Sequence, residues 1–188
     1  MRILVLDDST AHRFSATSLL RDHDLTVVST YEEAEMRLGA DKFDAFLGDL
    51  MLPASEKTLS PKAYHFVGEE MPLGTILALL ALKHGVKYVA VLTDTNHHMH
   101  PASAAFDEFQ PRWTGPFAVG DTRILCGGDD FVCYVDEETG AKVDWAFIQA
   151  DEGKKKYPEI EWRNHRGLVL AKDWAEALAQ LIAGPKKT

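Results

Sequence analysis

Five side chains that suit the binding or transfer of an anionic group stand at the ends of short apolar runs: Asp7, Asp8, Asp49, Thr93 and Lys172. Carboxylates crowded together repel one another unless a cation joins them, and oxygen ligands with room for water suit Mg²⁺. A lysine ammonium and a hydroxyl beside them would neutralise and hold a phosphoryl group. Because aspartate is an established nucleophile for phosphoryl groups, this set predicts phosphoryl transfer onto a carboxylate.

The apolar runs predict the elements that must position these residues. Strands are predicted over 3–6, 25–28, 43–48 and 86–92, and helices over about 10–23, 31–38 and 73–84. A fifth strand is predicted over 167–171, followed by a last helix with one apolar face. This alternation predicts an α/β fold, with a doubly wound parallel five-stranded sheet and helices on both faces. The carboxyl ends of its neighbouring strands one and three would bring Asp7, Asp8 and Asp49 together.

A β-rich insertion is predicted between strands four and five. Two β-like runs, 123–126 and 131–135, flank Gly127-Gly128-Asp129-Asp130, which is a hairpin signal. A further β-like segment is predicted at 143–148, and the charged segment 151–165 is expected to be exposed. The predicted organisation is therefore one α/β domain over 1–100 and 166–188, with a hairpin-rich insertion over 101–165.

Charge and hydropathy exclude some classes of function. The formal net charge of −9 argues against nucleic-acid binding as the main role. The longest nearly unbroken apolar run, 73–82, is too short to cross a membrane, and the N-terminus has no signal-peptide pattern. With no export signal, Cys126 and Cys133 are expected to be reduced, buried thiols in a cytoplasmic protein.

Four motifs, each at a predicted strand end, carry a resemblance to a known family. They are Leu4-Val5-Leu6-Asp7-Asp8-Ser9 with Arg13 on the next helix, Asp49-Leu50-Met51-Leu52-Pro53, Val91-Leu92-Thr93 and Leu170-Ala171-Lys172. In this order they make the chain similar to a response-regulator receiver domain of two-component signalling, over 1–96 and 166–184. The resemblance implies a flavodoxin-like sheet with strand order 2-1-3-4-5.

The resemblance also implies a role for each site residue. Asp49 would be the phosphoacceptor, and Mg²⁺ would be held by Asp7, Asp8, Asp49 and the Met51 backbone carbonyl. Thr93 would be the switch hydroxyl, and Lys172 would contact the phosphoryl group. The expected partners are a histidine kinase or phosphotransfer protein and a downstream protein, with a homodimer left open. Such a stand-alone receiver signals by protein–protein interaction and catalyses only its own phosphorylation and dephosphorylation.

Departures from the family pattern keep two other functions open. Asp94 follows the switch hydroxyl where the family has a small residue, Asp173 replaces the usual proline, and Val169 replaces an aromatic switch residue. The chain could therefore be a phosphorylation-independent interaction module with a receiver fold. The cluster of His97, His98 and His100 suggests a third class of function. This would be a small metal-dependent phosphohydrolase that uses these histidines together with the acidic crevice of Asp7, Asp8 and Asp49.

Overall fold

The computed structural model describes residues 1–57, 59–94, 98, 100–109, 115–161 and 163–184. Its strands are β1 (Arg2–Leu6), β2 (Asp24–Val28), β3 (Ala45–Asp49), β4 (Leu52–Pro53), β5 (Glu70–Met71), β6 (Tyr88–Leu92), β7 (Phe117–Val119), β8 (Thr122–Gly127), β9 (Val132–Asp136), β10 (Lys142–Val143), β11 (Glu159–Glu161), β12 (Asn164–His165) and β13 (Leu168–Lys172). Its α-helices are α1 (Thr10–Leu19), α2 (Tyr31–Ala40), α3 (Leu73–Lys83), α4 (Trp145–Gln149), α5 (Asp151–Lys156) and α6 (Trp174–Ala183). Short 3-10 helices cover Pro61–Phe66, Phe106–Phe109 and Asp129–Phe131.

A six-stranded, mostly parallel sheet forms the centre of this α/β fold, in the order β2-β1-β3-β6-β8-β7. The pairs from β2 to β8 are parallel, and β7 runs antiparallel to β8 at the edge. The first four predicted strands are thereby confirmed, because β1, β2, β3 and β6 lie side by side and parallel. Helix α2 continues through Gly39, where the sequence predicted its end, and stops at Ala40.

The strands are apolar throughout because helices cover both faces of the sheet. In β1, Ile3 and Val5 pack in the core that contains α1 and α6, whereas Leu4 and Leu6 pack in the core that contains α2 and α3. All four of these side chains are fully buried. A parallel sheet buried on both faces requires this continuous apolar pattern in place of strict alternation. The prediction of helices on both faces is therefore confirmed.

The prediction that residues 167–171 form the fifth strand of the parallel sheet is wrong. Strand β13 pairs antiparallel with β9 in a separate three-stranded sheet of order β10-β9-β13. The place beside β6 belongs to β8, which the sequence assigned to the insertion. Strand β8 is buried at every position but Arg123, whereas β13 leaves Leu170 exposed. Two short apolar runs of similar composition do not reveal which of them is covered on both faces.

Residues 101–165 also differ from the predicted insertion. The runs 123–126 and 131–135 form no hairpin, because β8 and β9 belong to different sheets. Segment 143–148 was predicted to be β-like, but from Trp145 onward it lies in helix α4. The Asp144 carboxylate caps this helix by accepting from the Ala146 N–H at 2.7 Å. The charged segment 151–165 forms α5, β11 and β12 and buries Tyr157 and His165. The domain boundaries 1–100, 101–165 and 166–188 stay a prediction.

Candidate functional site

The carboxyl ends of β1, β3 and β6 meet at one edge of the central sheet. Backbone hydrogen bonds continue past each strand end and hold the following residues in place. Asp7 N–H donates to Val28 O at 3.2 Å, and Thr93 N–H donates to Gly127 O at 2.9 Å. Leu50 N–H donates to Leu92 O at 2.8 Å, directly after Asp49. The sheet thus positions the side chains that follow it by ordinary parallel pairing.

Lys172 lies at the centre of the acidic residues and is almost fully buried, with a side-chain exposure of 1%. Its Nζ is 2.8 Å from Asp7 Oδ2 and 2.8 Å from Asp49 Oδ2. The same ammonium is 3.5 Å from Asp94 Oδ1. One buried cation therefore joins three carboxylates, two of which are themselves buried.

Helix α1 brings the end of β13 to this site, although β13 belongs to another sheet. The Lys172 N–H donates to His12 Nδ1 at 3.3 Å. The Ser15 hydroxyl donates to Lys172 O at 2.8 Å, and Trp174 Nε1–H donates to His12 O at 3.0 Å. Asp173 N–H donates to Phe131 O at 2.8 Å, which connects the end of β13 to the 3-10 segment Asp129–Phe131. The position of Lys172 therefore depends on polar contacts and not on parallel strand pairing.

Burial and mutual repulsion set the protonation of the site. Burial raises the pKa of the Asp49 carboxyl to about 7, because the opposing attraction of Lys172 is partly cancelled by Asp7 and Asp94. Burial also raises the pKa of Asp7, against the pull of Lys172 and His12. Burial alone would lower the pKa of Lys172, but Asp49, Asp7 and Asp94 raise it above its ordinary value. The site thus holds its lysine in the charged form.

The loop after β1 is held by a neighbouring arginine. Arg13 Nη1 donates to the backbone carbonyls of Asp7 at 2.8 Å and Asp8 at 2.6 Å. The Ser9 N–H donates to Asp7 Oδ1 at 2.9 Å, which leaves Asp7 Oδ2 for Lys172. In the sequence, Arg13 is only a part of the family resemblance. In the structure, its guanidinium holds the loop of Asp7 and Asp8 through their backbone carbonyls.

Helix α3 packs directly behind Asp49 and leaves no space for a side chain at Gly74. A Cβ at this position would lie 2.0 Å from Asp49 O and 2.8 Å from Leu50 Cα. The Gly74 N–H instead donates to Leu50 O at 3.0 Å. Met51 is buried, and its N–H donates to Asp49 Oδ1 at 3.3 Å. The backbone from Asp49 to Met51 is therefore held in place by helix α3 and by the Asp49 side chain.

Three of the predicted metal ligands form a group that suits a divalent cation. Asp7, Asp8 and Asp49 each offer a carboxylate oxygen, and these oxygens all lie within 4.8 Å of one another. Asp8 is exposed, whereas Asp7 and Asp49 are buried, so that a cation would be anchored by protein and still open to water. Hard oxygen donors with an open side fit Mg²⁺. The ligand role of the Met51 carbonyl stays a prediction.

His12 and Asp94 form a pair that sequence reasoning did not find. His12 Nε2 lies 2.8 Å from Asp94 Oδ2, and His12 is buried. Because His12 Nδ1 accepts from the Lys172 N–H, the ring proton belongs on Nε2 and points to Asp94. This hydrogen bond holds the pKa of Asp94 well below its usual range. The signal available in the sequence was His12 and Ser15 on the buried side of α1, since buried polar groups require partners.

The predicted histidine cluster is not assembled in the described part of the chain. His97 lies outside the described residues. His98 is exposed, and His100 Nδ1 accepts from the Ala102 N–H at 3.1 Å. Among the described histidines, cysteines and acidic residues, the one group with metal-binding spacing is Asp7, Asp8 and Asp49.

Both cysteines are buried and unpaired, as the sequence predicted. Cys126 lies on β8 and Cys133 on β9, so each belongs to a different sheet. Burial raises the pKa of each thiol to about 12. The thiolate form that reacts and binds metals is therefore disfavoured at both positions.

Comparison with known proteins identifies no relative. The chain matches no family model, no curated protein and no solved structure. Within the described residues, no helix has the length and apolar character needed to cross a membrane.

Proposed function

We propose that this protein is an atypical receiver that accepts a phosphoryl group on Asp49 with the help of Mg²⁺. The observation that carries the proposal is the position of Lys172 Nζ, 2.8 Å from both Asp7 and Asp49 in a buried site. A buried lysine between two buried carboxylates costs desolvation energy that apolar side chains in place of all three residues would avoid. An arrangement of this kind is expected where a transferring anion needs a fixed positive charge.

The residues of this chain supply each part of the reaction. The Asp49 carboxylate attacks the phosphorus of the donor, and the bond from phosphorus to the donor breaks as the new bond to Asp49 forms. The Lys172 ammonium neutralises charge on the phosphoryl oxygens, and the Thr93 hydroxyl donates a hydrogen bond to one of them. Because the pKa of Asp49 is raised to about 7, the nucleophile needs a cation to stay ionised at neutral pH.

The carboxylates of Asp7, Asp8 and Asp49, together with the Met51 carbonyl, would hold Mg²⁺. A bound Mg²⁺ supplies positive charge that favours the ionised nucleophile and offsets charge on the phosphoryl group. Arg13 would keep the loop of Asp7 and Asp8 in place through their backbone carbonyls.

The strand order supports the proposed class once β8 replaces the predicted fifth strand. The parallel part of the sheet runs β2-β1-β3-β6-β8, and we propose that it is a flavodoxin-like order in which β8 takes the fifth position. In such sheets ligands bind beyond the carboxyl ends of the strands, where Asp7, Asp8 and Asp49 stand. We propose that the sheet of β9, β10 and β13 is an elaboration of this fold that also supplies Lys172.

The proposed role implies protein partners. A histidine kinase or phosphotransfer protein would supply the phosphoryl group, and a downstream protein would read the phosphorylated state, with a homodimer as a further assembly. The phosphorylation-independent module is the competing proposal, because Lys172 and Asp94 already satisfy one another in the described structure. The metal-dependent phosphohydrolase has less support, since no described histidine joins the acidic group.

Mass spectrometry of the intact protein tests the proposal. The chain is incubated with Mg²⁺ and a small phosphodonor such as acetyl phosphate, and the expected result is the mass of one added phosphoryl group. Asp49→Asn should abolish the gain. Asp22→Asn is the matched control, because this exposed carboxylate lies just before β2 at the opposite edge of the sheet. No gain with the unaltered chain would overturn the proposal in favour of the phosphorylation-independent module.

A further inference from the structure

The sheet of β9, β10 and β13 leaves part of one face open to solvent. Cross-strand pairing sets Leu170 opposite Tyr134 and Lys172 opposite Val132, so these four side chains share that face. Lys172 is buried in the acidic site, whereas Leu170 is 36% exposed. An open apolar surface therefore lies directly beside the lysine of the site, on the same strand.

Two adjoining cavities form a cleft along this face. The larger has a volume of about 460 Å³ and reaches Trp145, and the smaller has a volume of about 140 Å³ and reaches Asp94. Val132, Arg163 and Leu170 line both cavities. The cleft therefore extends from Trp145 to one of the three carboxylates that contact the buried lysine.

Stacked aromatic rings form the first end of the cleft. The rings of Trp145 and Tyr134 are 5.6 Å apart and inclined by 15°. The Tyr134 hydroxyl donates to Arg163 O at 3.0 Å, and the buried His165 meets both rings edge-on. Trp145 is held in this way although it is 51% exposed. Because Trp, Tyr and Arg are enriched among the residues that dominate protein–protein binding, this end suits an apolar anchor side chain.

Carboxylates outnumber permanent cations at the other end of the cleft. Asp94 is 31% exposed, and its hydrogen bond with His12 holds its pKa well below the usual range, so it stays ionised. The exposed Asp129 lines the same cavity, and the permanent cation in the described lining is Arg163. The whole chain also has a formal net charge of −9. This end of the cleft therefore attracts a basic group.

We propose that this cleft is a docking site for a basic segment of a partner protein. A large apolar side chain of the segment packs on Trp145, and a lysine or arginine side chain pairs with Asp94 and Asp129. Lys142 adds little repulsion at the aromatic end, because its charge is balanced by the buried Asp173. The same carboxylates disfavour nucleic acids and anionic membranes as occupants.

A random peptide library tests the chemistry of the occupant. Random peptides displayed on phage are selected on the full chain and depleted on the Trp145→Ala chain. Enriched peptides should carry a lysine or arginine close to an aromatic or large aliphatic residue. Enrichment of acidic peptides, or no enrichment, would overturn the proposal.

Calorimetry with one enriched peptide, made synthetically, locates its binding site. Trp145→Ala should weaken binding by about 30-fold, the effect of an interface hot spot. Leu170→Ala removes an exposed side chain from the middle of the cleft and should also weaken binding, which keeps the test decisive if Trp145→Ala does not fold. Leu79→Ala is the matched control, because Leu79 is 64% exposed on α3, and it should leave the affinity unchanged.

Salt dependence tests the charged end of the cleft. The affinity of the peptide should fall as sodium chloride is added, and Asp94→Asn should both weaken binding and reduce this dependence. Asp22→Asn removes an exposed carboxylate at the opposite edge of the central sheet and should change neither. Equal affinities for the unaltered chain and the Asp94→Asn chain would overturn the proposed pairing.

Sedimentation of the chain distinguishes a partner protein from a second copy. Lys154, Lys155 and Lys156 in the last turn of α5 give a second copy a basic group of its own. The chain should not associate through the cleft at concentrations that the peptide saturates. A dimer that the peptide dissociates would overturn the assignment to a partner protein.

The dependence of docking on phosphorylation rests on the proposed function. A phosphoryl group on Asp49 would draw the Lys172 ammonium that also contacts Asp94. Asp94 would then attract a basic segment more strongly, so the peptide should bind the phosphorylated chain at least about fivefold more tightly. Equal affinities for the two states would overturn this coupling. If the chain is not phosphorylated at all, the proposed function and the coupling both fail, whereas binding to the unlabelled chain still decides the docking site.

Discussion

Replacement of Lys172 by methionine is the perturbation whose cost the structure defines best. The change keeps most of the side-chain volume but removes the cation from between Asp7 and Asp49, both of which are buried. Removing one partner of a buried ion pair leaves an uncompensated charge and costs about 3–5 kcal/mol. Since whole domains have unfolding free energies of about 5–15 kcal/mol, we expect a large loss of stability at neutral pH.

The loss should shrink as the pH falls. The carboxyls of Asp7 and Asp49 have pKa values raised by burial, and removal of Lys172 raises them further. A carboxyl whose pKa is raised in the folded protein binds more protons there than in the unfolded chain, so its protonation stabilises the fold at lower pH. Each such carboxyl reduces the loss by up to about 1.4 kcal/mol per pH unit, in the window between its pKa in Lys172→Met and its lower pKa in the unaltered protein, which for Asp49 is about 7.

Urea denaturation at several pH values measures both effects. Lys142→Met is the matched control, because Lys142 also pairs with a buried aspartate, Asp173, but 51% of its side chain is exposed. Because the Lys142 side chain is half exposed to water, Lys142→Met should cost less than Lys172→Met. A loss below about 1 kcal/mol for Lys172→Met at neutral pH, or one that does not shrink on acidification, would refute a charged, buried Lys172.

Three further predictions concern the metal site, the backbone behind Asp49 and the thiols. As the pH increases towards about 7, the apparent Mg²⁺ affinity measured by calorimetry should increase by up to about tenfold per pH unit, because the cation displaces the proton of Asp49. An affinity that does not change with pH would contradict the raised pKa of Asp49. Gly74→Ala should destabilise the protein by more than about 3 kcal/mol, because the new Cβ would overlap Asp49 O. Gly39→Ala should be neutral or stabilising, because its new Cβ would have no atom within 4 Å. Equal urea midpoints for the two variants would refute the close approach of α3 to Asp49. Cys126 and Cys133 should react with a thiol reagent at about pH 8 only as fast as the protein opens, and rapid modification of the native protein would contradict their burial.

The sequence predicts the first four strands well because their pattern has one interpretation. Each is a short apolar run, and parallel strands buried on both faces show no other periodicity. The strand ends then place Asp7, Asp8 and Asp49 at one edge of the sheet. Local pattern and topology agree over this part of the chain.

The last strand could not be assigned in the same way. Runs 123–126 and 168–171 are both short and apolar, and the choice between them depends on long-range pairing that leaves no local signal. The resemblance around Lys172 favoured the second run. The lysine does reach the carboxylates, but through α1 and the antiparallel sheet of β9 and β13.

The His12–Asp94 pair was missed for a different reason. In the sequence, Asp94 stands out only as a departure from the receiver pattern, directly after Thr93. Its partner lies 82 residues away on α1, and no spacing rule connects the two. A polar residue on the buried side of a helix does indicate that a partner exists, but it does not say which one.

The central claim is that Asp49 forms an acyl phosphate, and chemical trapping of that bond tests it most directly. The protein is treated with Mg²⁺ and acetyl phosphate and reduced at once with borohydride, which converts an aspartyl phosphate to homoserine. Peptide mass spectrometry should then find homoserine at position 49 and unaltered aspartate at positions 7 and 8. Homoserine at another position, or none under conditions that label a known receiver, would contradict the claim.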